Sequence, residues 1–187
     1  MDFLFDNIAI SGGVAVGKST LLENLKPYLQ PHDWKFESIG DIHRAFLKDN
    51  IMPEASKVSD DFDRKIEKEV ERVFTKEKHV AVQSWIGGFV ARNLSKTLKV
   101  LLICKNNHLR VDRLANRDRL SIDNAKKFIK QREEGNINKY KRLYGNFDFW
   151  NPEYYNLVID TYSSGQLETV GIVLDALGIQ PPRLNDK

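Results

Sequence analysis

Cysteine is nearly absent. Cys104 is the one example, set in the apolar run VLLIC, so no internal disulfide can form and a buried thiol is expected. No apolar run approaches the roughly 18 to 20 residues that a membrane span requires. The opening MDFLFDNIAI carries Asp2 and Asp6 and no basic stretch, so it does not read as a secretion signal. Internal repeats, low-complexity tracts and Gly/Ser or Pro linkers are missing, and His32, His43, His79 and His108 show no metal-ligand spacing. Neither sign of charge dominates: 29 basic against 26 acidic residues leave +3, too little to imply nucleic acid by itself. A cytoplasmic protein follows as the expectation. With 187 residues, 41% of them hydrophobic, the chain suffices for one well-packed domain.

What is present alternates. Five short runs rich in Val, Ile and Leu read as strands buried on both faces: NIAIS (7–11), KFESI (35–39), HVAVQS (79–84), KVLLIC (99–104) and NLVIDT (156–161). Helical stretches separate them. DFDRKIEKEVERVF places Phe62, Ile66, Val70 and Val73 on one face, with Asp60 as the expected N-cap. Ser121 is expected to cap a long helix that Gly145 stops after Tyr144. Strands joined through helices imply right-handed crossovers and an α/β fold: a three-layer, doubly wound domain on a five-stranded parallel sheet. One domain is expected over residues 1–179, followed by a polar, Pro-broken tail at 180–187.

The stretch GGVAVGKS, residues 12–19, satisfies G-x-x-x-x-G-K-[ST] in full, with an apolar strand before it and a helix carrying Leu21, Leu22 and Leu25 after it. That context predicts a nucleotide-binding loop made of Gly12, Gly13, Val14, Ala15, Val16, Gly17, Lys18, Ser19 and Thr20. Glycines let successive N–H groups turn inward around phosphates, and the helix adds its unpaired N–H groups and positive dipole end. Lys18 can reach the β- and γ-phosphates of ATP, and the Ser19 hydroxyl can join a Mg²⁺ shell.

Such a loop does not by itself say where a phosphate goes. The guanine-reading N-K-x-D motif of GTP switches fails here, because NKY at 138–140 is followed by Lys141. Residues 108–143 carry Arg110, Arg113, Arg117, Arg119 and Arg132, the first three spaced to share a helix face. Guanidiniums gathered at one place suit a transferring phosphoryl group, whose charge spreads over three oxygens. No aromatic residue is interleaved among the arginines of 110–119, which argues against nucleic acid as the partner.

SIGDIHRAF (38–46), RVDRLANRD (110–118), SIDNAKKFIKQREEGNINKYKRLYG (121–145) and YYNLVIDT (154–161), in that order after the loop, resemble the short cytidylate kinases of archaeal type, within the nucleoside monophosphate kinases. The resemblance runs over nearly the whole chain. It implies a P-loop kinase fold with a helical lid at about 117–145, ATP and Mg²⁺ as donor and cofactor, and a small nucleotide acceptor such as CMP or dCMP. It further implies that Arg44 contacts the acceptor's phosphate and that Asp41 lies near the metal-bound water or acceptor. Arg117 and Arg132 would act catalytically with Lys18, and Arg113 would be a companion on the substrate side. A monomer or a weak homodimer is expected.

One segment departs from the family. Where it tends to place a glutamate, a glycine and an arginine at the end of the third strand, this chain has Gln83, Ser84 and Trp85, followed by Gly87, Gly88 and Phe89. Gln83 is neutral and does not replace a carboxylate in ordering Mg²⁺. Trp85 either stacks on an acceptor's base or sugar, or only fills space over the sheet edge with transfer weakened or lost. A kinase for another small acceptor and a nucleotide-binding module without transfer both remain open at this point.

Overall fold

The computed structural model describes residues 2–39 and 59–179. The five strands are β1 (Asn7–Gly12), β2 (Lys35–Ser38), β3 (Val80–Gln83), β4 (Thr97–Ile103) and β5 (Leu157–Asp160), all parallel, in the order β2-β3-β1-β4-β5. The helices are α1 (Lys18–Leu29), α2 (Asp60–Lys76), the single turn α3 (Gly87–Val90), α4 (Asn107–Asp118), α5 (Ile122–Tyr144) and α6 (Gln166–Ala176). The expected doubly wound, three-layer α/β architecture is what the chain adopts. β1 lies at the centre, so the loop that follows it opens where the strand order reverses, the crevice in which open α/β sheets bind ligands.

Alternation along β1 builds both layers at once. Ile8 and Ile10 face α1 and α6, meeting Leu21, Leu22, Leu25 and Leu29 of one and Val170, Val173 and Leu174 of the other. Ala9, between them, faces the opposite layer with Val70, Val73 and Phe74 of α2. Leu25 has no exposed surface, and truncating it to Ala would cost about 2–5 kcal/mol through lost burial plus the cavity left behind. Asn7 is buried but satisfied. Its amide donates to the Phe74 and Glu77 carbonyls at the end of α2, and its side-chain oxygen accepts from Val80 N–H at 3.0 Å.

β4 starts two residues earlier than its apolar run suggests, because Thr97 and Leu98 pair with Asn7 and Ile8. The cap of α2 is also corrected: Ser59, not Asp60, accepts from Phe62 N–H, and Asp60 is the first helical residue. α5 matches expectation, with Ser121 accepting from Asn124 N–H and Gly145 beyond the end at φ +101°. At the N-terminal edge of the sheet, Trp34 and His79 stand just before β2 and β3 and stack at 5.3 Å, with Phe3 edge-on to both. No helix among the described residues is long and apolar enough to cross a membrane.

Candidate active site

β1 ends in Gly12, at φ +142°, where a Cβ would collide with the Leu102 carbonyl of β4. Only glycine fits there. The chain then turns through Ala15 at φ +56° and Gly17 at φ +100° before α1 starts at Lys18. The Lys18 ammonium folds back onto its own loop, donating to the carbonyls of Gly12 (2.8 Å) and Gly13 (2.6 Å). Burial, then the nearby Arg132, Arg117 and Arg110 guanidiniums, push its pKa down to about 7 against a counteracting pull from Glu133.

A cavity of roughly 750 Å³ opens above the loop, within the range of ligand sites. It is lined by the loop from Gly13 through Thr20, by Arg113 and Arg117 of α4 and Arg132 of α5, and by Thr161, Tyr162 and Gly165 after β5. The three arginines are held differently. Arg113 is tied to Thr161, donating to its hydroxyl at 2.9 Å and its carbonyl at 2.8 Å, and Thr161 in turn bonds the Val16 carbonyl. Arg117 is exposed and pairs with its neighbour Asp118 at 2.7 Å. Arg132 reaches close enough to Lys18 to depress its pKa. The structure therefore brings Lys18, Arg113, Arg117 and Arg132 together around one space.

Gln83, at the end of β3, occupies the place where an acid was missed. Its amide donates to Ser38 Oγ at 2.6 Å and exchanges hydrogen bonds with Ser19 Oγ at 3.1–3.2 Å. Two hard oxygen donors, the Ser19 hydroxyl and the Gln83 carbonyl, thus stand together at the cavity wall, neutral oxygen chemistry of the kind that Mg²⁺ accepts. Among the described residues no three His, Cys, Asp or Glu side chains stand together to cage a metal.

The far wall was not foreseen. Asp63 of α2 and Lys139 of α5 form an ion pair, both at most 5% exposed in their side chains, and line the cavity with the buried Asn136. One helical turn outward, Arg142 pairs with Asp60 at 2.6 Å, so the two helices are stitched by matched i, i+3 pairs. Glu67 lies one turn deeper, its Oε2 lacking a hydrogen-bond partner among the described residues, and burial with the Asp63 charge pushes its pKa up to about 8. Nothing in the local sequence marks Asp63 and Glu67 as buried. The signal that could have revealed them was the Asp60/Asp63 and Lys139/Arg142 matching.

Trp85 also lines the cavity, but its ring is packed: stacked on Tyr140 at 5.9 Å, against Trp150 at 4.5 Å, with its carbonyl accepting from Trp150 Nε1. It is part of an aromatic cluster with Phe89, Tyr140 and Phe149, so filling and lining are both true of it. Asp41 and Arg44 lie outside the described residues, as does the expected tail at 180–187.

A family model described as the cytidylate kinase-like family matches residues 26–163. The chain belongs to the cytidylate kinase-like family. Two proteins named cytidylate kinase are similar over most of both chains. That of Sulfolobus acidocaldarius is 33% identical over 159 residues, covering 82% of this chain and 84% of its own. That of Sulfurisphaera tokodaii is 28% identical over 159 residues, covering 82% and 85%. The fold is shared more widely: a shikimate kinase from Acinetobacter baumannii, solved with shikimate, superposes with a TM-score of 0.55 at 14% identity over 91% of this chain and 92% of its own. This member of the family is a nucleoside monophosphate kinase-like phosphotransferase.

Proposed function

We propose that the protein transfers the terminal phosphoryl group of ATP, with Mg²⁺, to a pyrimidine nucleoside monophosphate, CMP or dCMP first among them. The observation that carries this reading is one continuous cavity with a phosphate loop at one end, lid arginines above it and a buried polar wall at the other. Loop N–H groups and Lys18 hold the donor's phosphates, and Arg117 and Arg132 neutralise the charge that spreads over the oxygens in transfer. Bound Mg²⁺ supplies further neutralisation of the phosphoryl oxygens, and Ser19 with Gln83 are the residues that would stand in its shell. Arg113, bound to Thr161, sets the loop's flank and leaves its outer edge toward the substrate.

At the acceptor end, a carboxylate, a carboxamide and an ammonium match cytosine's pattern. Asp63 can accept from the exocyclic amine, while Asn136 and Lys139 can donate to the ring nitrogen and carbonyl. Uracil would set a carbonyl against Asp63. Trp85 supplies an apolar border beside them, and the resemblance to cytidylate kinases supports an acceptor-side role for Asp41 and Arg44. Lid closure would exclude water and protect ATP from hydrolysis.

A second reading has its own observation. Gln83 ties Ser19 and Ser38 together without a charge, which favours a protein that holds nucleotide and transfers nothing. A coupled ATP-to-ADP assay over the common ribo- and deoxyribonucleoside monophosphates and nucleosides, with a blank lacking acceptor, separates the two. Turnover led by CMP or dCMP supports the first reading. Nucleotide binding with no turnover for any acceptor supports the second.

A further inference from the structure

Three groups touch the phosphate loop from outside the cavity: Arg110 of α4, Glu133 of α5 and Trp150. None of them lines the cavity, although their neighbours Arg113 and Arg132 do. Both backbone polar groups of Val14 are taken by this side. Its N–H donates to Glu133 Oε1 at 3.0 Å, and its carbonyl accepts from Arg110 Nε at 3.1 Å. Arg110 and Glu133 are themselves ion-paired, with side chains only 15% and 20% exposed. The ring of contacts closes on a single loop residue. The Val14 side chain is equally committed, packing with Val111 and Leu114 of α4 and Ala125 and Ile129 of α5. Gly13 beside it has Glu133 Oε1 and, at 3.2 Å, the Trp150 ring where a Cβ would stand, so the clasp presses directly on backbone.

We infer that Glu133, paired with Arg110, is a positioning residue for the phosphate loop. It couples α4 and α5 to the loop, so that the N–H groups facing the cavity keep the geometry that receives the donor's phosphates. A carboxylate near such a loop could instead be an anion that competes with nucleotide, and its place outside the cavity argues against that role. The coupling also bears on Lys18, because Glu133 is the group that opposes the guanidiniums acting on it. The assignment rests on the loop being the donor site.

The test compares Glu133→Ala and Glu133→Gln with wild type in the full chain. Mg·ATP affinity is measured by calorimetry without acceptor, and amide hydrogen exchange is followed in the peptide spanning the loop. With E133A we expect Mg·ATP binding to weaken about tenfold, as for the loss of one charge-assisted hydrogen bond. Loop exchange should speed up, while the acceptor KM stays within about twofold. E133Q, whose amide oxygen can still accept from Val14 N–H, should recover binding to within about threefold of wild type. Unchanged affinity and exchange in E133A, tighter binding in E133A, or equal impairment of both variants would overturn the inference. A wild type that binds no nucleotide would sink the donor-site reading instead. The exchange arm then decides the clasp alone, with faster loop exchange in E133A upholding it and unchanged exchange ending it.

Discussion

Nucleotide binding should take up a proton at Lys18. The Lys18 Nζ group donates to the Gly12 and Gly13 carbonyls, and burial with three guanidiniums around it brings its pKa to about 7. Phosphates seated in the loop would neutralise those guanidiniums and give the ammonium its counter-charge, raising the pKa back toward the ordinary 10.5. At pH 8 the free lysine then carries about 0.1 proton and the bound one nearly a full proton, so binding takes up about 0.9. At pH 6 both states are mostly charged and the uptake falls to about 0.1. Affinity should accordingly weaken as pH rises from about 7, approaching tenfold per unit above about pH 8. Calorimetry of Mg·ADP binding in buffers of different ionisation enthalpy reads the proton count directly, and Lys18→Ala should abolish the uptake. Heats independent of buffer at pH 8, or an uptake that survives in K18A, would refute the argument.

Three further outcomes are expected. Gln83→Glu should lower the Mg²⁺ concentration for half-maximal rate several-fold, since it sets a carboxylate beside Ser19; a raised requirement would show that this edge does not face the metal. Glu67 carries the opposite shift to most acids: its contribution to stability is present below pH 4.5 and lost as pH rises through about 8. Glu67→Gln should therefore gain on wild type by about 1 kcal/mol or more between pH 5 and pH 8, measured by denaturant unfolding at both. Arg132→Ala should cut kcat by about 10² through lost charge stabilisation in transfer, whereas a rise confined to acceptor KM would make Arg132 a ground-state binder.

The frame was legible because its information is local. Strands buried on both faces are continuous apolar runs, and each of the five appears within two residues of its expected start. The loop at 12–19 is likewise contiguous, and Ser121 and Gly145 bracket α5 by chemistry that acts over a few residues. What stayed hidden depends on contacts between distant parts of the chain. Glu133 meets Val14 across 119 residues, and nothing in Gln131-Arg132-Glu133 says which of the three turns to the cavity and which to the loop's back. Asp63 and Glu67 could not be picked out in the sequence because buried charge is rare, and it is the distant Lys139 that makes Asp63 tolerable. Arg110, Arg113 and Arg117 do share a helix face, yet they divide into a loop clasp, a strand tie and a partly free cation.

The stacked Trp34 and His79 at the N-terminal edge of the sheet divide the protein's fluorescence into two stations. Parallel strands place that edge opposite the loop that follows β1, whereas Trp85 and Trp150 sit against each other beside the cavity. Two of the three indoles are therefore optical witnesses to events at the loop, and the third keeps watch over the opposite end of the sheet. Replacing Trp34 with Phe leaves an emission spectrum written almost entirely by the end that carries the loop, so arrival of nucleotide can be timed by stopped flow without attaching a dye.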